Sequence, residues 1–230
     1  ESVDIVRAPA AGGEINYSGK HFQINGLFSP WRSVPTDRLY LGANRPRMLR
    51  LAARKADGVM VTDMPRAYLG PLIGRVRAEL AAAGRDASSF AISNWFVWNV
   101  QETREEAMRL ARRGLGFRLY YIRDVASSIG LGEADARELE RRQPEMLRAL
   151  FRGTESWQPP PDVAERLIEH LTLTSDRRGL PGCVERLVEF EGLGCSEIAL
   201  APHGDPAAAI ELLGAAVIPA VDRGDRAGDP

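Results

Sequence analysis

Five consecutive residues form a turn whose types and order could bind a phosphate group. They are Gly42, Ala43, Asn44, Arg45 and Pro46, and they follow a short apolar run. Gly42 and Ala43 allow a ligand to approach the backbone, and Pro46 suits the first position of a helix. The N–H groups and the dipole at a helix N-terminus attract anions, and arginine side chains add charge-assisted hydrogen bonds. The segment therefore predicts a phosphate site, against the plainer alternative of an ordinary helix start with surface arginines.

Other residue types that carry chemistry are scattered along the chain. The histidines are His21, His170 and His203. They form no cluster in the sequence, and only His203 follows directly on an apolar run of strand length. Parallel barrels often place functional groups after their strands, yet a packing role for His203 is favoured. Trp95 and Trp98 lie in another strand-like run with Asn94, where packing in the core is favoured over contact with a ligand.

Short apolar runs alternate with longer segments of helical periodicity, which is typical of a parallel α/β fold. Strands are predicted at residues 39–43, 58–63, 90–100 and 196–201. Helices are predicted after them, including one over residues 67–83, because apolar residues recur at the spacing of one helical face. Thr103 with Glu106 has the capping-box spacing, and Asp205 before Pro206 is an N-cap acid followed by proline. These signals predict four β/α units.

Two regions depart from this alternation. Residues 123–162 contain charged helical pieces and are predicted to be an insertion that forms a lid or an oligomer contact. Residues 222–230 are polar and contain glycine, so they are predicted to be a disordered tail after a domain over residues 1–221. A closed barrel needs eight β/α units and about 250 residues. The chain is therefore predicted to hold half a barrel, and its start at Glu1 instead of methionine raises the expectation of a fragment.

The composition is ordinary for a soluble enzyme. A net charge of −1 gives no global attraction to nucleic acid or to an anionic membrane. Cys183 and Cys195 belong to no CxxC motif or His/Cys cluster, so neither a disulfide nor a metal site is favoured. Neither a signal segment nor an apolar run of membrane-spanning length is evident, and a cytoplasmic protein is predicted.

In their order and spacing, several segments resemble the luciferase-like monooxygenase superfamily. They are the turn Tyr-x-Gly-x-His-Phe at residues 17–22, then residues 40–49, 56–59, 83–86, 179–184, 194–200 and 205–219. The resemblance covers nearly the whole chain except residues 123–162. It implies a (β/α)8 TIM barrel of the luciferase-like type, of which this chain carries about four C-terminal β/α units. Relatives usually cap the helix near residue 181 with threonine, and Leu180 stands here instead.

The resemblance also implies an oxidoreductase that transfers hydride to or from a small organic substrate with the deazaflavin coenzyme F420. This branch of the superfamily includes methylenetetrahydromethanopterin reductase, and the arginine-rich composition, typical of GC-rich actinobacterial genomes, favours it. By resemblance, the cofactor phosphate lies at Asn44 and Arg45. Thr62, in the next strand-to-helix loop, is a candidate hydroxyl donor. Asp63 is interpreted as a turn or cap residue, because a carboxylate would repel a phosphate.

Two other functions stay open. The first is a luciferase-like monooxygenase that uses FMN, and the second is a non-catalytic flavin-binding protein or fragment. The catalytic residues are not assigned, because in relatives the N-terminal half supplies most groups near the reactive ring. A half-barrel exposes sheet edges and an apolar face, so a homodimer or pairing with a missing N-terminal half is expected.

Overall fold

The computed structural model describes residues 1–7, 14–28 and 38–227, with side chains described to residue 222. Contacts group these residues into two units. The first unit contains the described residues up to Met60 together with Val76–Ala91. The second contains Val61–Arg75 and the described chain from Ile92 onward. The single domain predicted over residues 1–221 stays a prediction.

The first unit opens with helix α1 (Ser2–Arg7) and an antiparallel hairpin of strands β1 (Glu14–Ser18) and β2 (Gln23–Phe28). The turn between the strands lies within the Tyr-x-Gly-x-His-Phe segment at residues 17–22. The Glu1 carboxylate accepts hydrogen bonds of 2.9 to 3.1 Å from the backbone N–H groups of Lys20, His21 and Phe22. These hydrogen bonds hold the pKa of Glu1 below its usual value and fix the turn beside α1.

A β-α-β unit follows in the same part of the molecule. Strands β3 (Tyr40–Gly42) and β4 (Gly58–Thr62) are parallel, with Tyr40 opposite Gly58, and helix α2 (Pro46–Lys55) connects them. Gly58 has a steric role, because a Cβ atom there would lie 2.6 Å from the Tyr40 ring. The buried face of α2 consists of Leu49, Ala52 and Ala53. Both predicted strands and the helix between them are confirmed.

Helix α3 (Arg66–Ala82) follows β4 and ends at the family-like segment 83–86. Gly84 adopts a φ of 65°, the left-handed conformation that favours glycine after a helix. Arg85 then turns back, and its Nη1 donates hydrogen bonds to the carbonyl oxygens of Ala53 and Ala56 at 2.8 and 2.6 Å. Arg85 therefore supplies hydrogen-bond donors to carbonyl groups at the C-terminal end of α2.

Three more parallel strands lie in the second unit. They are β5 (Ala91–Gln101), β6 (Thr172–Asp176) and β7 (Glu197–Pro202). Strand β5 pairs with β7 from Ser93 opposite Glu197, and with β6 from Val97 opposite Thr172. The length of β5 allows it to pair with both. Its Phe96 is fully buried and packs against the Phe190 ring at a centroid distance of 5.3 Å.

The sequence predicts about four β/α units, and the described chain contains five parallel strands that are each followed by a helix. The strand that the sequence does not reveal is β6. Its sequence, Thr-Leu-Thr-Ser-Asp, contains one aliphatic residue and follows helix α7 (Pro161–Leu171) without a loop. Backbone and hydroxyl hydrogen bonds compensate for its polarity, among them Thr172 Oγ1 to the Ile168 carbonyl at 2.6 Å. The prediction of a parallel α/β fold is confirmed.

A helical region separates β5 from β6. It contains α4 (Arg104–Arg113), a 3₁₀ segment (Leu115–Tyr121), α5 (Ile122–Val125), a second 3₁₀ segment (Ala126–Ile129), α6 (Glu133–Arg152) and α7. The Thr103 hydroxyl accepts a hydrogen bond from the Glu106 N–H at 3.2 Å, as the capping-box spacing predicts. The non-α helical structure begins at Leu115, upstream of the insertion predicted at 123–162.

The C-terminal elements are α8 (Leu180–Gly192), α9 (Pro206–Leu212), a π-helical turn (Leu213–Val217) and α10 (Ile218–Ala227). Leu180 provides no cap. Instead, the Asp176 carboxylate accepts from the Gly179 N–H at 3.0 Å and caps the 3₁₀ turn (Arg177–Gly179) that leads into α8. Asp205 caps α9 through the Ala207 N–H at 2.9 Å, as predicted.

Helix α10 packs against α8 and spans Ile218–Ala227, and residues 228–230 lie outside the described residues. The disordered tail expected over residues 222–230 stays a prediction. Within the described chain, no helix combines the length and apolarity needed to cross a membrane.

Candidate functional site

The predicted phosphate-binding turn connects β3 to α2 in the first unit. Ala43 and Asn44 are buried, whereas Gly42, Arg45 and Pro46 are exposed. The Ala43 N–H donates to the Met60 carbonyl at 3.0 Å, which continues the β3–β4 pairing by one residue. Pro46 occupies the first turn of α2, as predicted. The chain thus places this turn at the carboxyl end of a parallel strand, where α/β folds bind ligands.

Two features of this turn suit an anionic group. Arg45 is the N-cap residue of α2, and its own side chain does not cap the helix through a hydrogen bond. An arginine cannot accept such a bond, whereas an anion at the helix N-terminus can. A Cβ atom at Gly42 would meet no other atom of the described residues within 4 Å, so they leave the space over Gly42 open. The residues present therefore fit a phosphate.

The second unit contains a cavity of about 510 Å³, a size typical of small-molecule sites. It lies where β4 and β7 end and against the 3₁₀ segment 115–121. Its polar lining consists of Thr62, Asp63, Arg118 and His203. Its aromatic lining consists of Trp95, Phe117, Tyr120 and Tyr121. The cavity is therefore a mainly apolar chamber with a few polar groups, at the end of the strands where parallel α/β folds carry functional residues.

A buried ion pair forms the centre of the polar lining. Arg118 Nη1 contacts Asp63 Oδ2, and both side chains are 6% exposed. The Arg118 guanidinium also lies over the Trp95 ring, 5.2 Å from its centroid. The other Asp63 oxygen, Oδ1, is enclosed and has no hydrogen-bond partner in the described chain. Burial raises the pKa of Asp63 to about 7, although the Arg118 guanidinium opposes that rise.

The backbone at Asp63 is unusual as well. Its φ is 50°, a left-handed conformation that non-glycine residues rarely adopt and that aspartate tolerates better than most. The Asp63 N–H donates to the Trp95 carbonyl at 2.8 Å. Such strained conformations persist only when the surrounding contacts impose them, and they are frequent at functional sites. Asp63 is a turn residue, as predicted, and it is also the buried acid of the cavity.

Asn94 fixes the loop that carries Asp63. Its side-chain amide is fully buried, and it accepts from the Met64 N–H at 3.3 Å and donates to the Met64 carbonyl at 3.1 Å. Both polar groups of the Met64 peptide backbone are thus satisfied where the β4 strand has ended. The preference for a structural role at Asn94 agrees with these contacts. Trp98 is likewise fully buried, whereas Trp95 lines the cavity.

His203 lines the same cavity and is partly exposed. Burial and the nearby positive charge of Arg118 lower its pKa, so the neutral imidazole is favoured. Its backbone is fixed on both sides, because its N–H donates to the Trp98 carbonyl at 2.8 Å and its carbonyl accepts from Gln101 at 3.0 Å. The position of His203 after the last strand was a usable sequence signal.

The structure distributes the predicted site residues over both units. The segment 42–46 belongs to the first unit, and Thr62 lines the cavity of the second. Their shared role as phosphate ligands stays a prediction. The residue that the sequence did not reveal is Arg118, because nothing in the pattern around it distinguishes a buried arginine from the many exposed ones. The described residues contain no cluster suited to a metal, and Cys183 and Cys195 are free thiols whose pKa burial raises to about 11.

The profile of the luciferase-like monooxygenase family matches residues 1–197, and the chain belongs to this family. It is 29% identical over 226 residues to a 5,10-methylenetetrahydromethanopterin reductase of Archaeoglobus fulgidus. That match covers 95% of this chain and 64% of the reductase, so the chain spans less than two thirds of the length of that relative.

Solved structures show the same fold. The coenzyme F420-dependent tetrahydromethanopterin reductase of Methanopyrus kandleri superposes with a TM-score of 0.69 at 19% identity, over 94% of this chain and 60% of that one. An F420-dependent secondary alcohol dehydrogenase gives a TM-score of 0.61 at 17% identity, over 92% and 57%. An EDTA monooxygenase of Chelativorans sp. BNC1 gives 0.52 at 14% identity, over 92% and 53%.

Proposed function

We propose that this chain is part of an oxidoreductase that uses coenzyme F420 to transfer hydride to or from a small organic substrate. The observation that carries the proposal is the β3–α2 turn, where the backbone of Gly42, the N-terminus of α2 and Arg45 come together. The names of the relatives support F420 as the cofactor. When bound, the deazaflavin would supply or accept the hydride.

In this proposal, the chain's own residues would bind the cofactor phosphate and enclose the substrate. The backbone over Gly42 and the first turn of α2 would hold the cofactor phosphate, with Arg45 pairing with its charge. In the second unit, the aromatic wall would exclude water, and Thr62, Arg118 and His203 would orient the substrate. Asp63 would hold a proton near neutral pH, because burial has raised its pKa to about 7.

The FMN-dependent monooxygenase is the second candidate, because the EDTA monooxygenase shares the fold. Titration of the chain with F420 and with FMN, followed by fluorescence, separates the candidates. Binding of F420 with weaker binding of FMN is expected. Tighter binding of FMN would favour the monooxygenase. Binding of neither would overturn the proposal.

Arg45→Glu is expected to weaken F420 binding by more than about 1 kcal/mol, because it replaces an attraction for the phosphate by a repulsion. The measurement is the same fluorescence titration. Arg54→Glu is the matched control, because it makes the same charge change in the last turn of α2 and should leave the affinity nearly unchanged. Equal losses in both variants would show a long-range charge effect and remove Arg45 from the site.

Gly42→Ala tests the approach of the ligand to the backbone. The fold should tolerate it, because the added Cβ would meet no atom within 4 Å. A ligand lying against this backbone would meet the new methyl group, so weaker F420 binding with unchanged unfolding is expected. Unchanged affinity would place the phosphate elsewhere.

A further inference from the structure

Arg118 retains hydrogen-bonding capacity that the protein does not use. Its Nη1 contacts Asp63, and the guanidinium face lies over Trp95. Within the part of the chain that the structure describes, Nε and Nη2 form no hydrogen bond, and neither is among the fully enclosed polar atoms. Because Arg118 is buried and lines the cavity, the cavity is the space from which a ligand would reach these remaining N–H groups.

The side chains around these donors determine which kind of apolar group a ligand can place in the cavity. Trp95, Phe117 and Tyr120 present aromatic surface, and Met64 and Leu171 add apolar surface. A flat apolar group would bury its surface here without leaving polar groups unpaired. The arginine fork, in contrast, requires an oxygen acceptor, and it matches the two oxygens of a carboxylate best.

The charge of the ion pair limits the charge of the ligand. With Asp63 protonated, Arg118 gives the cavity one positive charge, which balances one carboxylate but not a dianion such as phosphate. We infer that the cavity binds a substrate with a single carboxylate on an aromatic body, and that Arg118 pairs with this carboxylate. The inference gives the substrate class of the oxidoreductase proposed above. It rests on that proposal only in treating the bound ligand as a substrate.

Asp63 would then control the affinity of Arg118 for the ligand. When Asp63 is ionised, it competes with the ligand for the Arg118 guanidinium and repels the ligand's carboxylate. When Asp63 is protonated, it does neither. The other charged or titratable groups of the cavity lining are His203, Tyr120 and Tyr121. Since the pKa of Asp63 is about 7, the affinity should fall as the pH rises through neutrality.

The experiment uses benzoate as the probe and benzamide as its uncharged match, with the whole chain and without cofactor. Binding is followed by tryptophan fluorescence, and Trp95→Phe identifies the signal of Trp95. Benzoate is expected to bind at least about tenfold more tightly than benzamide at pH 6, since a charge-assisted bidentate pair is stronger than a neutral one. Arg118→Lys should lose most of this preference, because lysine keeps the charge but lacks the planar fork.

Asp63→Asn provides the opposite change and leaves the guanidinium in place. At pH 8 it is expected to tighten benzoate binding by about tenfold, because it removes the competing charge. The pH dependence of benzoate binding that is expected of the original chain should disappear in this variant.

Equal affinities for benzoate and benzamide, or an Asp63→Asn variant that binds benzoate no better at pH 8, would overturn the inference. The cofactor titration with Arg45→Glu concerns the first unit and is independent of this cavity assay. The two proposals can therefore fail separately.

Discussion

Arg118→Leu is expected to destabilise the protein by about 3–5 kcal/mol at pH 8, because removal of one partner leaves a buried charge without compensation. Solvent cannot readily replace the lost partner, since both side chains are 6% exposed and Asp63 Oδ1 has no hydrogen-bond partner among the described residues. Urea unfolding of the variant and the original chain measures the difference.

The loss should be smaller at pH 5, and the sign follows from the pKa of Asp63. Its folded value, about 7, is above its ordinary value of 3.8. The stability that this group contributes is therefore fully present below about pH 3.8 and is lost as the pH rises through about 7. At pH 5 the folded protein already holds the proton, so Arg118→Leu removes a hydrogen bond and packing but leaves no buried charge.

The double variant Asp63→Asn/Arg118→Leu is the control for this interpretation. It removes the acid with its partner and should recover most of the stability lost at pH 8. An equal loss at pH 5 and pH 8, without recovery in the double variant, would show that Arg118 stabilises the fold by packing over Trp95 alone.

Asn94→Leu is expected to cost about 2–4 kcal/mol, because two buried backbone groups of Met64 would lose their partners. Leucine has a similar size, so the loss reflects hydrogen bonding more than a cavity. Ser93→Ala on the same strand is the matched control, because the buried Ser93 hydroxyl has no hydrogen-bond partner within the described part of the chain and its removal should be nearly neutral. Urea unfolding of the two variants compares them directly.

A second readout connects Asn94 to the cavity. Release of Met64 should loosen the left-handed turn at Asp63, so the Asn94→Leu variant should also lose affinity for benzoate. If Asn94→Leu is no more destabilising than Ser93→Ala, the amide contacts with Met64 contribute little.

Local signals predicted much of this fold. Thr103 and Asp205 cap the helices that their spacing indicates, and strands β3, β4, β5 and β7 follow the apolar runs. Strand β6 was not predicted because the strand it pairs with, β5, lies far away in the sequence. This pairing stabilises a segment that has little apolar content of its own. Propensity is a weak guide where such tertiary contacts decide the structure.

The candidate site was less predictable than the fold. The turn at residues 42–46 carries its chemistry in consecutive residues, so the sequence could indicate it. The pair of Asp63 and Arg118 joins residues separated by 55 positions. Only folding shows that this arginine, unlike Arg45 or Arg54, is buried, and burial gives Asp63 a pKa near neutrality.

The left-handed backbone at residue 63 also limits which residues this position can carry. Glycine, asparagine and aspartate are the residues that adopt a φ of 50° at low cost, and β-branched residues adopt it at high cost. Aspartate and asparagine have nearly the same shape and differ by one ionisable group. A single exchange at this position could therefore change the charge of the cavity, and with it the preferred substrate, while the course of the main chain stays the same.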